Sequence, residues 1–206
     1  IQLNNMATQV DWNTQIKNRP TIPENPFVLS TDYIFSETPN HTVGINVLST
    51  ITFTALPDGI NAFSPNNHTV RIVDAVGGDE TVLITAVVGT TIIAYTTLLH
   101  TGSNWSVRSA TGGIQEAIYA QLAASTPAII YIPTGLYYAY GTLYTTGLLG
   151  NHIVLRGMGQ IATRYHRHSS FTTGNLIEWT SASSGNLTIE NFTITNCDGT
   201  FNNTSG

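Results

Sequence analysis

Between positions 43 and 107 the chain runs in short β-branched stretches: Ile51-Thr52-Phe53-Thr54, Val70-Arg71-Ile72-Val73, 81–85 and Thr91-Ile92-Ile93-Ala94-Tyr95. Asp58-Gly59, Gly77-Gly78-Asp79 and Gly102-Ser103 separate them. Short runs with turn residues between them predict a small antiparallel, sandwich-like β-domain, with bounds at 39–109. A weak echo, Pro39-Asn40-His41-Thr42-Val43 against Asn66-Asn67-His68-Thr69-Val70, reads as two equivalent strand entries rather than a repeat array. After Thr111-Gly112-Gly113 the period changes to a helical one. Ile114, Ala117, Ile118, Gln121 and Leu122 fall on one stripe, which predicts a helix from 114 to about 124 with that stripe packed on a partner. Strand-like runs follow at 128–133, 142–149, 153–156, 176–179 and 187–194. Upstream, residues 1–38 hold Pro20, Pro23 and Pro26 among polar positions and read as an extended linking or attachment segment.

The late runs carry a second pattern. Gly150-Asn151, Gly174-Asn175 and Gly185-Asn186 each precede a run, and the first two pairs are 24 residues apart. Stacked coils need left-handed corners, which Gly and Asn adopt cheaply. In 187–194, Leu187 and Ile189 share one strand face and Phe192 and Ile194 share the next. Glu190-Asn191 must therefore be a corner that swings both sets inward, with Asn191 at the turn. A stack of coils leaves its ends open and needs a cap, for which Ile114, Ile118 and Leu122 provide an apolar face. About three coils fit in 128–197, so the stack is expected to continue past Gly206 or to associate with copies of itself.

Composition narrows the function. Only 9% of residues are charged, with seven Lys+Arg against twelve Asp+Glu and a net charge of −5. Thr, Ser and Asn, at 32, 14 and 18 residues, carry the polarity instead. A nucleic-acid partner engaged through a basic stripe is excluded. The single cysteine, Cys197, makes neither an internal disulfide nor a thiolate zinc site. No apolar run reaches the length of a membrane span, so no membrane insertion is expected. The sequence opens at Ile1 without a leader pattern, from which a start within a longer product is expected.

Candidate chemistry is sparse. Gly157-Met158-Gly159-Gln160-Ile161-Ala162 spells a dinucleotide fingerprint, but Thr163-Arg164-Tyr165-His166-Arg167-His168 lacks the helical stripe that motif needs. It reads as an inter-strand turn, and no cofactor is expected. His166 and His168 share a face if extended. With Arg164 and Arg167 beside them and no third ligand, they read as a solvated polar loop rather than a metal site. His100 and His152 stand alone near turns and receive no role. Glu178, Glu190 and Asp198 show no spacing that makes a glycosidase pair, so no catalytic residue is expected here. Tyr137, Tyr138, Tyr140, Tyr144 and Tyr165 with Trp179 form a dense aromatic set whose outward members suit sugar stacking, while core filling and interchain contact compete as explanations. The expected carbohydrate-binding residues are Tyr138, Tyr140, Tyr144 and Tyr165. Asn-x-Ser/Thr acceptors at Asn40, Asn67, Asn104, Asn186, Asn191, Asn202 and Asn203 slightly exceed the roughly four that chance gives.

The run from Gly112 to Cys197 resembles the start of the pectate-lyase-like right-handed parallel β-helix proteins. The likeness rests on the helix beginning Gly112-Gly113-Ile114-Gln115-Glu116-Ala117, the strand Ile130-Tyr131-Ile132-Pro133-Thr134-Gly135-Leu136-Tyr137 and the turn Arg156-Gly157-Met158-Gly159. The preceding block, from Asn67 to Ile118, looks like the small β-domain found before such helices in phage and bacterial surface proteins. Trp12-Asn13-Thr14-Gln15-Ile16-Lys17-Asn18-Arg19-Pro20-Thr21-Ile22-Pro23 is similar to a linker common in phage tail-fibre and collar proteins, with Arg19 where Lys is usual. The resemblance implies a mainly β chain: a small antiparallel β-domain, then over 110–206 a capping helix and the first coils of a right-handed parallel β-helix. It implies a homotrimeric virion fibre or tailspike, attached to other tail or capsid proteins through 1–38 and to host polysaccharide distally, in an extracellular setting. The competing expectations are a secreted bacterial polysaccharide lyase or hydrolase, and a cell-surface adhesin.

Overall fold

The computed structural model describes residues 43–102, 105–123, 128–145, 152–178 and 186–196. The expected attachment segment 1–38, Cys197 and Trp179 lie outside them. The chain is mainly β, with one helix among the described residues. Strands β1 (Val47–Thr52), β2 (Thr69–Asp74), β3 (Glu80–Val88), β4 (Thr91–Thr96) and β5 (Trp105–Ser109) form an antiparallel sheet in the order β1-β4-β3-β2-β5. Alternation along these strands sends Ile51, Ile72, Val82, Ile84, Ile92, Trp105 and Val107 into one core. The opposite face leaves Leu48 and Tyr95, cross-strand partners, exposed.

Helix α1 (Ile114–Ala123) starts where Gly112 and Gly113, both at positive φ, turn the chain out of β5. Its first amides are satisfied locally: Gly113 donates to Ser109 Oγ (2.8 Å) and Gln115 to Thr111 Oγ1 (3.1 Å). The helix buries more than a stripe, because Gln115, Glu116 and Tyr119 are covered as fully as Ile114, Ile118 and Leu122. It is packed from both sides.

Beyond α1 lie β6 (Ala128–Ile132), β7 (Gly135–Ala139), β8 (Leu143–Tyr144), β9 (His152–Gly157), β10 (Thr163–Arg167), β11 (Ile177–Glu178), β12 (Asn186–Glu190) and β13 (Thr193–Thr195). They pair in parallel as three short sheets, β6-β9-β12, β7-β10-β13 and β8-β11. Ile130, Leu155 and Ile189 stack on one rung and Tyr137, Tyr165 and Ile194 on another. Burial falls along the first rung, with Ile130 and Leu155 at 0% exposure and Ile189 at 38%. The corner expected at Asn191 is present, with φ 59° between β12 and β13, and Asn196 repeats it at φ 60°. Gly157 ends β9 beneath that corner, and a Cβ there would overlap the Asn191 carbonyl.

Two strands depart from the sequence pattern. β7 falls in Gly135–Ala139, and β10 occupies most of the stretch expected to be a polar loop around His166. In β10 only Thr163 and Tyr165 are buried, so a single large side chain carries the inward face and leaves no apolar alternation to read. In the run expected at 142–149, Leu143–Tyr144 are strand, and 146–149 lie outside the described residues.

Candidate functional site

Helix α1 fixes everything around it. Ile114, Ile118 and Leu122, the residues expected to cap a stack of coils, share a core with Ile130, Ile132, Leu143, Ile153 and Leu155 of the short parallel sheets. Sequence reading missed Gln115, whose amide nitrogen donates to the Tyr144 carbonyl (2.9 Å) and whose oxygen accepts the Tyr144 N–H (2.6 Å). These two bonds do for β8 what a neighbouring strand would, on the edge not paired with β11. Tyr140 N–H is satisfied in the same way by the Ala110 carbonyl (2.7 Å).

The other side of α1 is clasped to the antiparallel domain. Glu116 accepts from Ser109 Oγ (2.8 Å) and meets His68 Nε2 (3.0 Å), while His68 Nδ1 lies 3.1 Å from Ser64 Oγ. Tyr119 donates to the Asn67 carbonyl and Asn61 Nδ2 to the Tyr119 carbonyl. Gly59, at φ 82°, passes so close to the Glu116 backbone that any Cβ would overlap it. Ser64, His68 and Glu116 have the residue types of a hydrolytic triad. All three are at 0% exposure and Ser64 Oγ also takes the Asn61 N–H, so the hydroxyl has no route to a substrate and the trio is an internal clasp.

His100, given no role from sequence, sits at 0% exposure between two carboxylates, Nδ1 at 2.9 Å from Asp74 and Nε2 at 2.9 Å from Glu80. The Gly77 and Val76 amides, with His100, hold Asp74 below its ordinary value. Burial works to raise Glu80, but the Thr97 amide and hydroxyl, His100 and the Leu98 amide outweigh it and hold Glu80 down as well. Spacing along the chain carries no signal for this trio, because antiparallel pairing assembles it.

A cluster of aromatic and basic side chains lies on the outward side of β7 and β10. Tyr137 and Ala139 point inward, so Tyr138 and Tyr140 face out, and β10 sets His166 opposite Tyr138. Rings of Tyr138 and His166 meet edge to face at 5.6 Å, and Tyr140 and His168 lie 4.3 Å apart at 34°. Arg71, from β2, places its guanidinium 3.9 Å over Tyr140 and bonds Asp79 at 2.6 Å. Burial, then Arg71 and His166, push His168 below its ordinary value. At this junction a groove of about 520 Å³ opens, with Arg71, Asp79 and Glu80 on one wall and Tyr140, Thr142 and His168 on the other.

Of the four tyrosines expected to meet sugar, Tyr138 and Tyr140 are thus brought together with two histidines. Tyr165 is turned inward at 2% exposure and joins the core, which removes it from that set. Tyr144 is half-buried on β8, away from the cluster, and burial with the nearby Glu178 raises its phenol. Arg164 is exposed, two residues before His166 on β10. The glycine-rich 157–162 stretch is the turn from β9 to β10, with no helix after it. His166 Nδ1 meets Thr195 Oγ1 (2.8 Å) and His168 Nδ1 meets Ser170 Oγ (2.8 Å), and among the described residues no group of three His, Cys, Asp or Glu side chains is placed to hold a metal ion. Glu190 forms an ion pair with Arg156 (2.6 Å), its register partner on β9. No helix among the described residues is long and apolar enough to cross a membrane. No family model matches the chain, and comparison with curated proteins and with solved structures finds no match.

Proposed function

We propose that the chain is the virion-proximal part of a phage tail fibre or tailspike that attaches to host surface polysaccharide. In this reading α1 caps the first coil of a right-handed parallel β-helix. The observation that carries it is the order of pairing: β6, β7 and β8 recur as β9, β10 and β11, then as β12 and β13, each strand parallel to its counterpart one coil earlier. Stacked coils bury only their neighbours' faces, which accounts for the rise in exposure toward Ile189. The linker-like segment from Trp12 to Pro23 favours a virion over a secreted lyase or an adhesin.

Attachment rather than chemistry suits the acids present. Glu190 is engaged by Arg156, and the Ser64-His68-Glu116 trio is sealed. The expected assembly is a homotrimer, with a sedimentation mass three times the 22.2 kDa of one chain. A monomeric mass in dilute native buffer overturns the fibre reading. Release of reducing ends or unsaturated sugars from host capsule, abolished by Glu178→Gln or Glu190→Gln, would make the secreted lyase or hydrolase the better reading.

A further inference from the structure

The outward face of β7-β10-β13 has an unusual charge for this chain. None of the three strands contains Asp or Glu, although the protein's net charge is −5. Of the five described arginines, Arg71 pairs with Asp79, Arg156 with Glu190, Arg167 donates to the Phe171 carbonyl and Arg108 to Ser106 Oγ. Arg164, exposed on β10, has no bonded partner among the described residues. It stands two residues from His166, about 7 Å along the strand, and His166 is the register partner of Tyr138. His168 Nδ1 accepts the Ser170 N–H (3.2 Å), so the proton of its neutral ring lies on Nε2 and is available as a donor.

We infer that this face binds an acidic polysaccharide, with Tyr138 against a sugar ring and Arg164 paired to a sugar carboxylate. The inference rests on the attachment reading and names its ligand class. A pyranose presents an apolar C–H face that packs on an aromatic ring, and a guanidinium grips a carboxylate with two parallel hydrogen bonds. Tyr138 meets His166 and His168 edge to face at 5.6 Å each and Tyr140 at 6.2 Å. Tyr140 has the Arg71 guanidinium 3.9 Å over its ring and His168 at 4.3 Å, so Tyr140 is the more fully covered of the two and positions His168. The groove at its end is also lined by Thr172 and Thr173, both exposed, whose hydroxyls suit neutral sugar groups. Its two carboxylates are committed, Asp79 to Arg71 and Glu80 to His100 and Thr97.

The test is calorimetric titration of the full chain at low salt with a hyaluronan octasaccharide, with the same octasaccharide reduced at its carboxylates to primary alcohols, and with poly-glutamate. Melting curves establish that each variant folds. The uronate is expected to bind about tenfold or more tighter than its reduced form. Arg164→Gln should remove that difference and leave the reduced sugar's affinity alone, while Tyr138→Ala weakens both sugars. Equal affinity for the two sugars overturns the acidic class but leaves glycan attachment standing. Poly-glutamate binding as tightly as the uronate overturns the role of Tyr138. Absence of binding by either sugar overturns this face as a glycan site, and the sedimentation mass then judges the fibre reading independently.

Discussion

Replacing Gln115 with Met tests whether α1 is seated on β8 by hydrogen bonding as well as by apolar contact. Methionine keeps the length and the helix propensity of glutamine but can make neither bond to Tyr144. Gln115 is at 0% exposure, and its two bonds to the Tyr144 backbone measure 2.6 and 2.9 Å. A buried polar group left without a partner costs about 1–3 kcal/mol, and two groups lose theirs together. Tyr144 is only half-buried, so water recovers part of this, and the expected loss is about 2–3 kcal/mol. Urea denaturation followed by circular dichroism should show a lower midpoint at unchanged slope, and hydrogen exchange should show the Tyr144 amide among the most accelerated. A loss below about 0.5 kcal/mol, or an unaltered Tyr144 amide, would show that the bonds are incidental and that apolar packing alone seats the helix.

Ile118→Asp places an unpaired charge at a position with 0% exposure and should cost several kcal/mol, unfolding the parallel sheets; an unchanged melting temperature refutes α1 as their cap. Gly157→Ala drives a methyl into the Asn191 carbonyl and should destabilise by about 1–3 kcal/mol in a thermal melt, whereas a neutral result would mean that the corner can shift. Asp74 and Glu80 titrate below their ordinary values of 3.8 and 4.5, so the unfolded chain takes up protons first. The stability they contribute is complete above those values and lost as pH falls through the depressed ones. Asp74→Asn should start less stable and show a shallower acid loss, and an identical acid limb would remove Asp74 from the clamp.

The parts of the fold legible in the sequence were those written in local spacing. The helical stripe from Ile114 to Leu122 and the Glu190-Asn191 corner each depend on residues within one or two turns of one another. β10 was illegible because a strand that buries one tyrosine and one threonine, and turns Arg164 and His166 outward, has the composition of a loop. Both buried histidine clasps were missed for a different reason. His68 and Glu116 are 48 residues apart and His100 and Asp74 are 26 apart, and only the completed topology brings them into contact. The tyrosines illustrate both limits: alternation alone separates Tyr137 from Tyr138, but the inward turn of Tyr165 follows from its parallel register with Tyr137.

The double burial of α1 has a mechanical consequence. One side of the helix is wedged among Ile130, Leu143 and Ile153, and the other is gripped by His68, Ser109 and the backbone at Gly59. A tug applied to the parallel sheets therefore reaches the antiparallel sheet through shear of two close-packed contacts rather than through a slack tether. Close-packed interiors have low compressibility and transmit strain, so the junction is expected to act as a stiff bearing. Load applied to the parallel sheets would pass into the antiparallel sheet with little lost to bending at this joint.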